Sequence, residues 1–206
     1  MRDMQSEPEE PVTDRSLEPR TAAPSTDRPA RARSAAPLLG AVALATLVAD
    51  QATKAWALAA LDPGQPIDVL GRFLRLQLIA NSGAAFSLAS GQTWLLTLIA
   101  VVVGGFIAWH ARTIVNRTWA VGLGLVLGGL LGNLYDRLFR PPAFAQGHVV
   151  DFLNYNGWFI GNVADIAIVG AAALLVLLSW RGISYDSETG RTGVERPARP
   201  AEGTSR

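Results

Sequence analysis

The sequence predicts a mainly α integral membrane protein, a bundle of four spanning helices with a small strand-forming region outside the bilayer. Three observations predict it. Of the 206 residues, 50% are hydrophobic and the mean hydropathy is positive. Charged residues make up 17%, below the roughly 25% of an average soluble domain. The charges are also uneven: most lie in the first 36 residues and after Trp180. The middle that remains holds apolar stretches long enough for a helix to cross a hydrocarbon core, which takes about 20 residues.

Composition excludes several chemistries. The formal net charge of +1 gives no basic surface for nucleic acid. Cysteine is absent, which removes thiol nucleophiles, cysteine metal sites and disulfides. The two histidines, His110 and His148, are too few for a histidine-based zinc site. No metal and no cofactor is expected.

Residues 1–36 are rich in Pro, Glu, Asp, Arg, Ser and Thr and show no apolar periodicity. They cannot bury enough apolar surface to offset their ordering entropy, so they read as a disordered tail. The tail ends in Arg28, Arg31 and Arg33, like the charged front of a signal peptide. The apolar run behind it is too long for one, and further spans follow. The first span is expected over Pro37 to Leu61. It carries Asp50 and Lys54, spaced i, i+4 on one helix face. They read either as a snorkelling pair at a helix end or as part of a functional group.

Residues 62–91 do not span. Pro63, Gly64 and Pro66 make a turn, and Arg72 to Leu78 alternates as a half-buried strand does, with Leu74, Leu76 and Leu78 on one face. Asn81-Ser82-Gly83-Ala84-Ala85-Phe86 follows, its small residues suited to close backbone approach. The second span, Trp94 to Trp109, has no ionisable side chain, and its tryptophans suit the interfacial belt. The third, Trp119 to Leu138, has a glycine face of Gly122, Gly124, Gly128, Gly129 and Gly132 for close helix packing. The fourth is expected over Phe159 to Trp180, and residues 182–206 read as a second disordered tail. The four-span body is thus 37–181.

Arginines near the span ends set the orientation. Arg28, Arg31, Arg33, Arg112, Arg117 and Arg181 fall on one side, and Arg72, Arg75, Arg137 and Arg140 on the other. The basic cluster before the first helix favours cytoplasmic termini. Asp136 then lies roughly 26 Å across the third span and Asp165 roughly 9 Å into the fourth. Asp151 falls in the outer connection just before it. With Asp50 and Lys54, every ionisable group of the spans gathers at the outer level.

Carboxylates alone supply a recognised chemistry. Two held close cannot both ionise easily, so one keeps a proton, and the pair can act as base toward water and as acid toward a leaving group. Asp136 is followed by Arg137, a charge partner that suits support. Asp151 sits in Val149-Val150-Asp151-Phe152 and Asp165 in Asn162-Val163-Ala164-Asp165-Ile166, both without an adjacent cation. Desolvation prefers Asp151 with Asp165 as the working pair.

Five motifs occur in one order: Asp50-Gln51-x-x-Lys54, Asn81-x-Gly83-Ala84-Ala85-Phe86, Gly132-Asn133-x-x-Asp136-Arg137, Val149-Val150-Asp151-Phe152 and Asn162-x-Ala164-Asp165. Together with four spans they resemble the bacterial lipoprotein signal peptidases (signal peptidase II), over about Leu38 to Trp180. The resemblance implies a four-span aspartic endopeptidase of the bacterial cytoplasmic membrane, its active site near the extracytoplasmic face and its strand region forming a β cradle there. It implies cleavage of diacylglyceryl-modified prolipoproteins just before the lipidated cysteine. Membrane lipids are the other expected partners, and a monomer is the expected state. Asp151 and Asp165 match the family's catalytic pair. Asn81, Asn133, Arg137 and Asn162 match residues that contact the substrate backbone or brace the site, and Gly83, Asp136 and Ala164 fall in the same motifs. Asp50 and Lys54 match positions near the lipid-facing end of the cleft. Gly161 and Ile166 depart from the family's usual Phe and small residue, and Pro141 to Gln146 reads as an insertion in a mobile segment that closes over substrate. The glycine faces are expected to receive the small substrate residues before the cysteine. A proton- or ion-coupled transporter and a non-catalytic lipid-binding scaffold are the rival readings.

Overall fold

The computed structural model describes residues 33–83 and 93–186. Residues 1–32 and 187–206 of the two tails expected to be disordered, with the Arg28 and Arg31 flank, and the Ala84-Ala85-Phe86 end of the second motif lie outside the described residues; the tails' inner ends are described and bonded, the Ala35 amide to the Ile114 carbonyl and the Val115 and Asn116 amides to the Tyr185 carbonyl. Four helices have the length and apolarity to cross a membrane. They are α1 (Ala36–Ala60), α2 (Thr93–His110), α3 (Arg117–Phe139) and α4 (Val163–Trp180). A four-stranded antiparallel sheet lies between them in the chain, with strands β1 (Ile67–Leu70), β2 (Leu74–Asn81), β3 (Val149–Tyr155) and β4 (Phe159–Gly161) in spatial order 1-2-3-4.

α3 is the centre of the bundle, and its glycines are the reason. A Cβ on Gly124 would lie 2.8 Å from the Leu39 carbonyl oxygen of α1, and one on Gly128 would lie 2.6 Å from Thr46 Cβ. On a second face, a Cβ on Gly129 would lie 2.8 Å from the Ala164 carbonyl oxygen of α4, and one on Gly122 2.7 Å from Leu175. Small residues let backbones touch, and dispersion over the contact holds the helices together where no hydrophobic effect acts. α1 and α4 therefore fill the glycine faces. This corrects the expectation that substrate residues enter them.

The expected spans are found within a few residues except the fourth. Phe159 to Gly161 belongs to β4, and α4 begins at Val163 behind the N-cap Asn162. The helix start is a capping box: the Asn162 side chain accepts from the Asp165 amide, and the Asp165 carboxylate accepts from the Asn162 amide. Asp165 is thus in the first turn, shallower than a span beginning at Phe159 would place it.

The strand read from Leu74, Leu76 and Leu78 is β2, but its residues are nearly all part-buried rather than alternating. The reason is that β2 is an interior strand, paired on one edge with β1 and on the other with β3. Leu76 and Leu78 pack against Ala57, Leu61 and Phe152, which seats the sheet on the end of α1. Asp151 lies in β3, not in an irregular connection. Its strand has apolar residues on both faces because both are covered, and Val149 to Phe152 are all buried.

The segment after α3 is tied down. Thr97 Oγ1 of α2 donates to the Ala145 carbonyl at 3.0 Å, His148 N donates to the Pro141 carbonyl at 2.9 Å and Gly147 N to the Arg137 carbonyl at 2.9 Å.

Candidate active site

The ends of α1 and α3, the start of α4 and the middle of β3 converge on one cluster of polar side chains inside otherwise apolar surroundings. Asp50, Lys54 and Asp136 are fully buried, and Asp151 and Asn162 are nearly so. Such groups persist only when paired or hydrogen-bonded, and here every partner can be named.

Asp151 and Asp165 are linked through amides. Asn162 Nδ2 donates to Asp151 Oδ1 at 2.7 Å, while its Oδ1 accepts from the Asp165 amide at 3.1 Å. Asp151 Oδ2 accepts from Asn81 Nδ2 at 2.7 Å. Asn81 opposes Val149 across the β2–β3 ladder, two residues from Asp151 on the same face, so the pair is a diagonal neighbour of the sheet. Asp165 Oδ2 accepts from the Asn162 amide at 3.0 Å and Oδ1 from Asn133 Nδ2 at 3.0 Å. Burial pushes the Asp151 carboxyl up to about 6. The Asp165 charge acts in the same direction, against the lowering effect of the Asn81 and Asn162 hydrogen bonds and of Lys54.

Gly83 supports this from β2's end. Its amide donates to Asn81 Oδ1 at 2.8 Å, which fixes the amide's orientation toward Asp151. Its φ of +97° is a conformation that side-chain-bearing residues rarely adopt.

Behind this pair sits an ionic cluster. Lys54 Nζ lies 2.8 Å from Asp50 Oδ2, 2.8 Å from Asp136 Oδ2 and 3.0 Å from Asn133 Oδ1. Asp50 Oδ1 accepts from the Ala164 amide at 3.0 Å, tying α1 to the start of α4. Asp50 and Lys54, both fully buried, are therefore not a snorkelling pair. They lie in the interior, between α1, α3 and α4. Asp136 pairs with Lys54 and, at 2.6 Å, with Arg140, so the expected Asp136–Arg137 pair does not form. Neighbouring helix residues point about 100° apart, while i, i+4 residues share a face. Arg137 has no carboxylate within ion-pair distance among the described residues. It is buried, its Nη1 has no hydrogen-bond partner, and its charge is felt by Asp151, Asp136 and Asp165.

Two contributors are absent from the sequence-derived set. Gln51 Nε2 donates to Asp50 at 3.2 Å, to the Gly132 carbonyl at 3.1 Å and to Asp136 at 3.3 Å. Arg140 is the other, and its i+4 spacing from Asp136 is a signal visible in the sequence.

Residues 42–181 match the family described as signal peptidase (SPase) II. The chain belongs to the signal peptidase II family. A lipoprotein signal peptidase of Mycolicibacterium smegmatis is 45% identical over 207 residues, covering 100% of this chain and 84% of that protein. Those of Mycobacterium avium and Rhodococcus jostii are 52% and 49% identical, over 73% and 77% of this chain and 82% and 79% of theirs. A solved bacterial membrane enzyme has the same fold, with a TM-score of 0.65 at 23% identity, covering 78% of this chain and 98% of that one. As a signal peptidase II with four helices of spanning length, the chain is an aspartic protease of the bacterial inner membrane.

Proposed function

We propose that the chain removes signal peptides from diacylglyceryl-modified prolipoproteins, cutting before the lipidated cysteine, with Asp151 and Asp165 as its catalytic pair. One observation carries the assignment. Of the four carboxylates in the cluster, Asp50 and Asp136 are neutralised by direct ion pairs, whereas Asp151 and the part-buried Asp165 are held only by amides. The first two are structural. The second two are free to share a proton.

In the proposed reaction, the ionised member takes a proton from a water as its oxygen attacks the scissile carbonyl. The protonated member supports the developing oxyanion and then protonates the amine as the C–N bond breaks. Asn81, Asn133 and Asn162 set the orientation of both carboxylates. The unpartnered Arg137 Nη1 is placed to take a backbone carbonyl of the substrate. Asp50 and Lys54 act through Asn133 and Ala164 and do not touch substrate. The signal helix enters laterally with its lipid chains left in the bilayer, and since one chain supplies the whole site, a monomer suffices. Arg33, Arg112 and Arg117 lie at the opposite end from the carboxylates, which supports cytoplasmic termini and an extracytoplasmic site. The ionisable groups gather at one end of the bundle, so neither rival reading gains support: a transporter needs a path through it, and a lipid scaffold needs no amide-linked pair of aspartates.

The test is incubation of purified protein with a diacylated prolipoprotein. Asp151→Asn and Asp165→Asn are expected to insert and fold normally and to release no signal peptide. Cleavage by either variant at a rate near wild type refutes the pair.

A further inference from the structure

Phe159 and Gly161 are two residues apart on β4, so their side-chain directions lie on one face of the sheet. A Cβ on Gly161 would lie 2.6 Å from Phe159 Cε1, 2.8 Å from Phe159 Cζ and 2.7 Å from Asp165 Oδ2. Real Cβ atoms essentially never come so close. Gly161 is not among the glycines of positive φ, so its backbone does not call for glycine. Close approach does. The Phe159 ring occupies the space that a side chain at 161 would take, beside the Asp165 carboxylate. Of the two neighbours, the carboxylate is locked by hydrogen bonds from Asn133 and Asn162. A side chain at 161 must therefore displace the ring or break those bonds.

The ring has a second face. It stacks on Tyr155 across the β3–β4 ladder, with centroids 6.1 Å apart and planes at 23°. Phe159 remains 47% exposed. With Tyr155, Asp165, Ile166, Val169 and Gly170 it lines a recess of about 470 Å³. Asp165 is the one charged residue in that lining. An apolar recess with a catalytic carboxyl in its wall suits an apolar group carried next to the reacting bond.

Building on the assignment of Asp165 to the catalytic pair, we propose that Phe159 is a specificity-determining residue, whose ring seats an apolar substrate side chain flanking the scissile bond. Gly161 is the positioning residue that lets ring and carboxylate lie together. The full chain, purified in detergent, is assayed for kcat and KM on synthetic diacylated prolipopeptides that carry either Leu or Ala at the flanking positions. Each is made with long and with short acyl chains. Phe159→Ala is expected to raise KM for the Leu peptide about tenfold, the scale of a lost pocket contact, with kcat within twofold and with little change for the Ala peptide. Gly161→Ala is expected to lower kcat about tenfold. Phe159→Ala/Gly161→Ala is expected to recover at least threefold of that kcat loss, because removing the ring frees the three-residue edge strand to move off Asp165. Wild-type kinetics in Gly161→Ala, strictly additive losses in the double variant, or a Phe159→Ala effect that follows acyl-chain length would overturn the proposal. Asp165→Asn is run alongside. If it cleaves at the wild-type rate, the catalytic pair fails, while the KM comparison still reads the role of Phe159.

Discussion

Lys54→Met is the perturbation that asks most of the buried cluster. It keeps the length and apolar stem of the side chain and removes the ammonium that Asp50, Asp136 and Asn133 share at 2.8, 2.8 and 3.0 Å. Asp136 retains Arg140 at 2.6 Å, but Asp50 is left with only Gln51 and the Ala164 amide. Breaking a buried pair by removing one partner costs about 3–5 kcal/mol, because the other charge stays buried and uncompensated. In a chain of this size that corresponds to roughly 6–20 °C in Tm. Catalysis suffers for a separate reason. Asn133 Oδ1 is left with only the 3.2 Å bond from Asn162 Nδ2, so Nδ2 is aimed less firmly at Asp165, and misplacement of about 1 Å at a reacting group costs about 100-fold. The second variant, Lys54→Met/Asp50→Asn, separates the two effects. It leaves Asp136 paired with Arg140 and no newly unpaired buried charge, so most of the lost Tm returns. Asn133 still lacks its Lys54 partner, so cleavage does not. Thermal unfolding in detergent and single-turnover cleavage read the two outcomes. A Lys54→Met protein with wild-type Tm, or a double variant with wild-type cleavage, refutes the reasoning.

Two further outcomes follow from the same contacts. With the Asp151 carboxyl at about 6, the singly protonated pair is lost as pH rises, so kcat/KM falls on a basic limb near pH 6. Asn81→Leu removes a hydrogen bond that favours the ionised form, so its limb moves to higher pH, and a limb that stays put or moves down counts against Asp151 as a titrating member. In the bundle, Gly128→Ala drives a methyl group toward Ala43 and Thr46. Overpacking of this kind costs about 1–3 kcal/mol. It should appear as a lower Tm, whereas Gly105→Ala, whose Cβ meets nothing within 4 Å inside α2, does not lower Tm.

The membrane setting makes part of this protein legible and hides the rest. Asp50, Lys54, Asp136, Asp151 and Asp165 stand out because an ionisable group inside an apolar run needs a reason, and counting residues along each helix puts them at one end. Their pairing is less legible. Sequence adjacency suggests Asp136 with Arg137, but side chains pair by helix face, and the cations paired with Asp136 among the described residues are Arg140 and the distant Lys54. The strand character of Val149 to Tyr155 is hidden because both its faces are buried, which erases the period-two pattern. The true start of α4 is written in the sequence as Asn162 followed three residues later by Asp165. The apolar residues Phe159 and Ile160 obscure it by extending the run. Contacts such as Gln51 to Gly132 depend on tertiary approach and leave no local pattern.

The placement of positive charge explains why two of the aspartates are suited to chemistry and two are not. A cation bonded directly to Asp165 would hold it ionised and end any sharing of a proton. Lys54 is instead saturated by Asp50, Asp136 and Asn133. What reaches Asp165 is the far side of an amide, which passes on direction without charge. Asn162 does the same between the two members of the pair. The amides also constrain each other: Asn133 Oδ1 accepts from both Lys54 and Asn162, so only its Nδ2 is left for Asp165. Its orientation is thereby fixed without a charge on the pair. Arg137 is the one cation near the pair that no carboxylate neutralises among the described residues, and its Nη1 is buried without a partner. A buried donor left open is costly to maintain, and in the proposed reaction a substrate carbonyl relieves that cost. The cluster thus divides its charges by task. In the proposed assignment, Lys54 and Arg140 neutralise the structural carboxylates, the amides orient the working pair, and Arg137 is held in reserve for the chain to be cut.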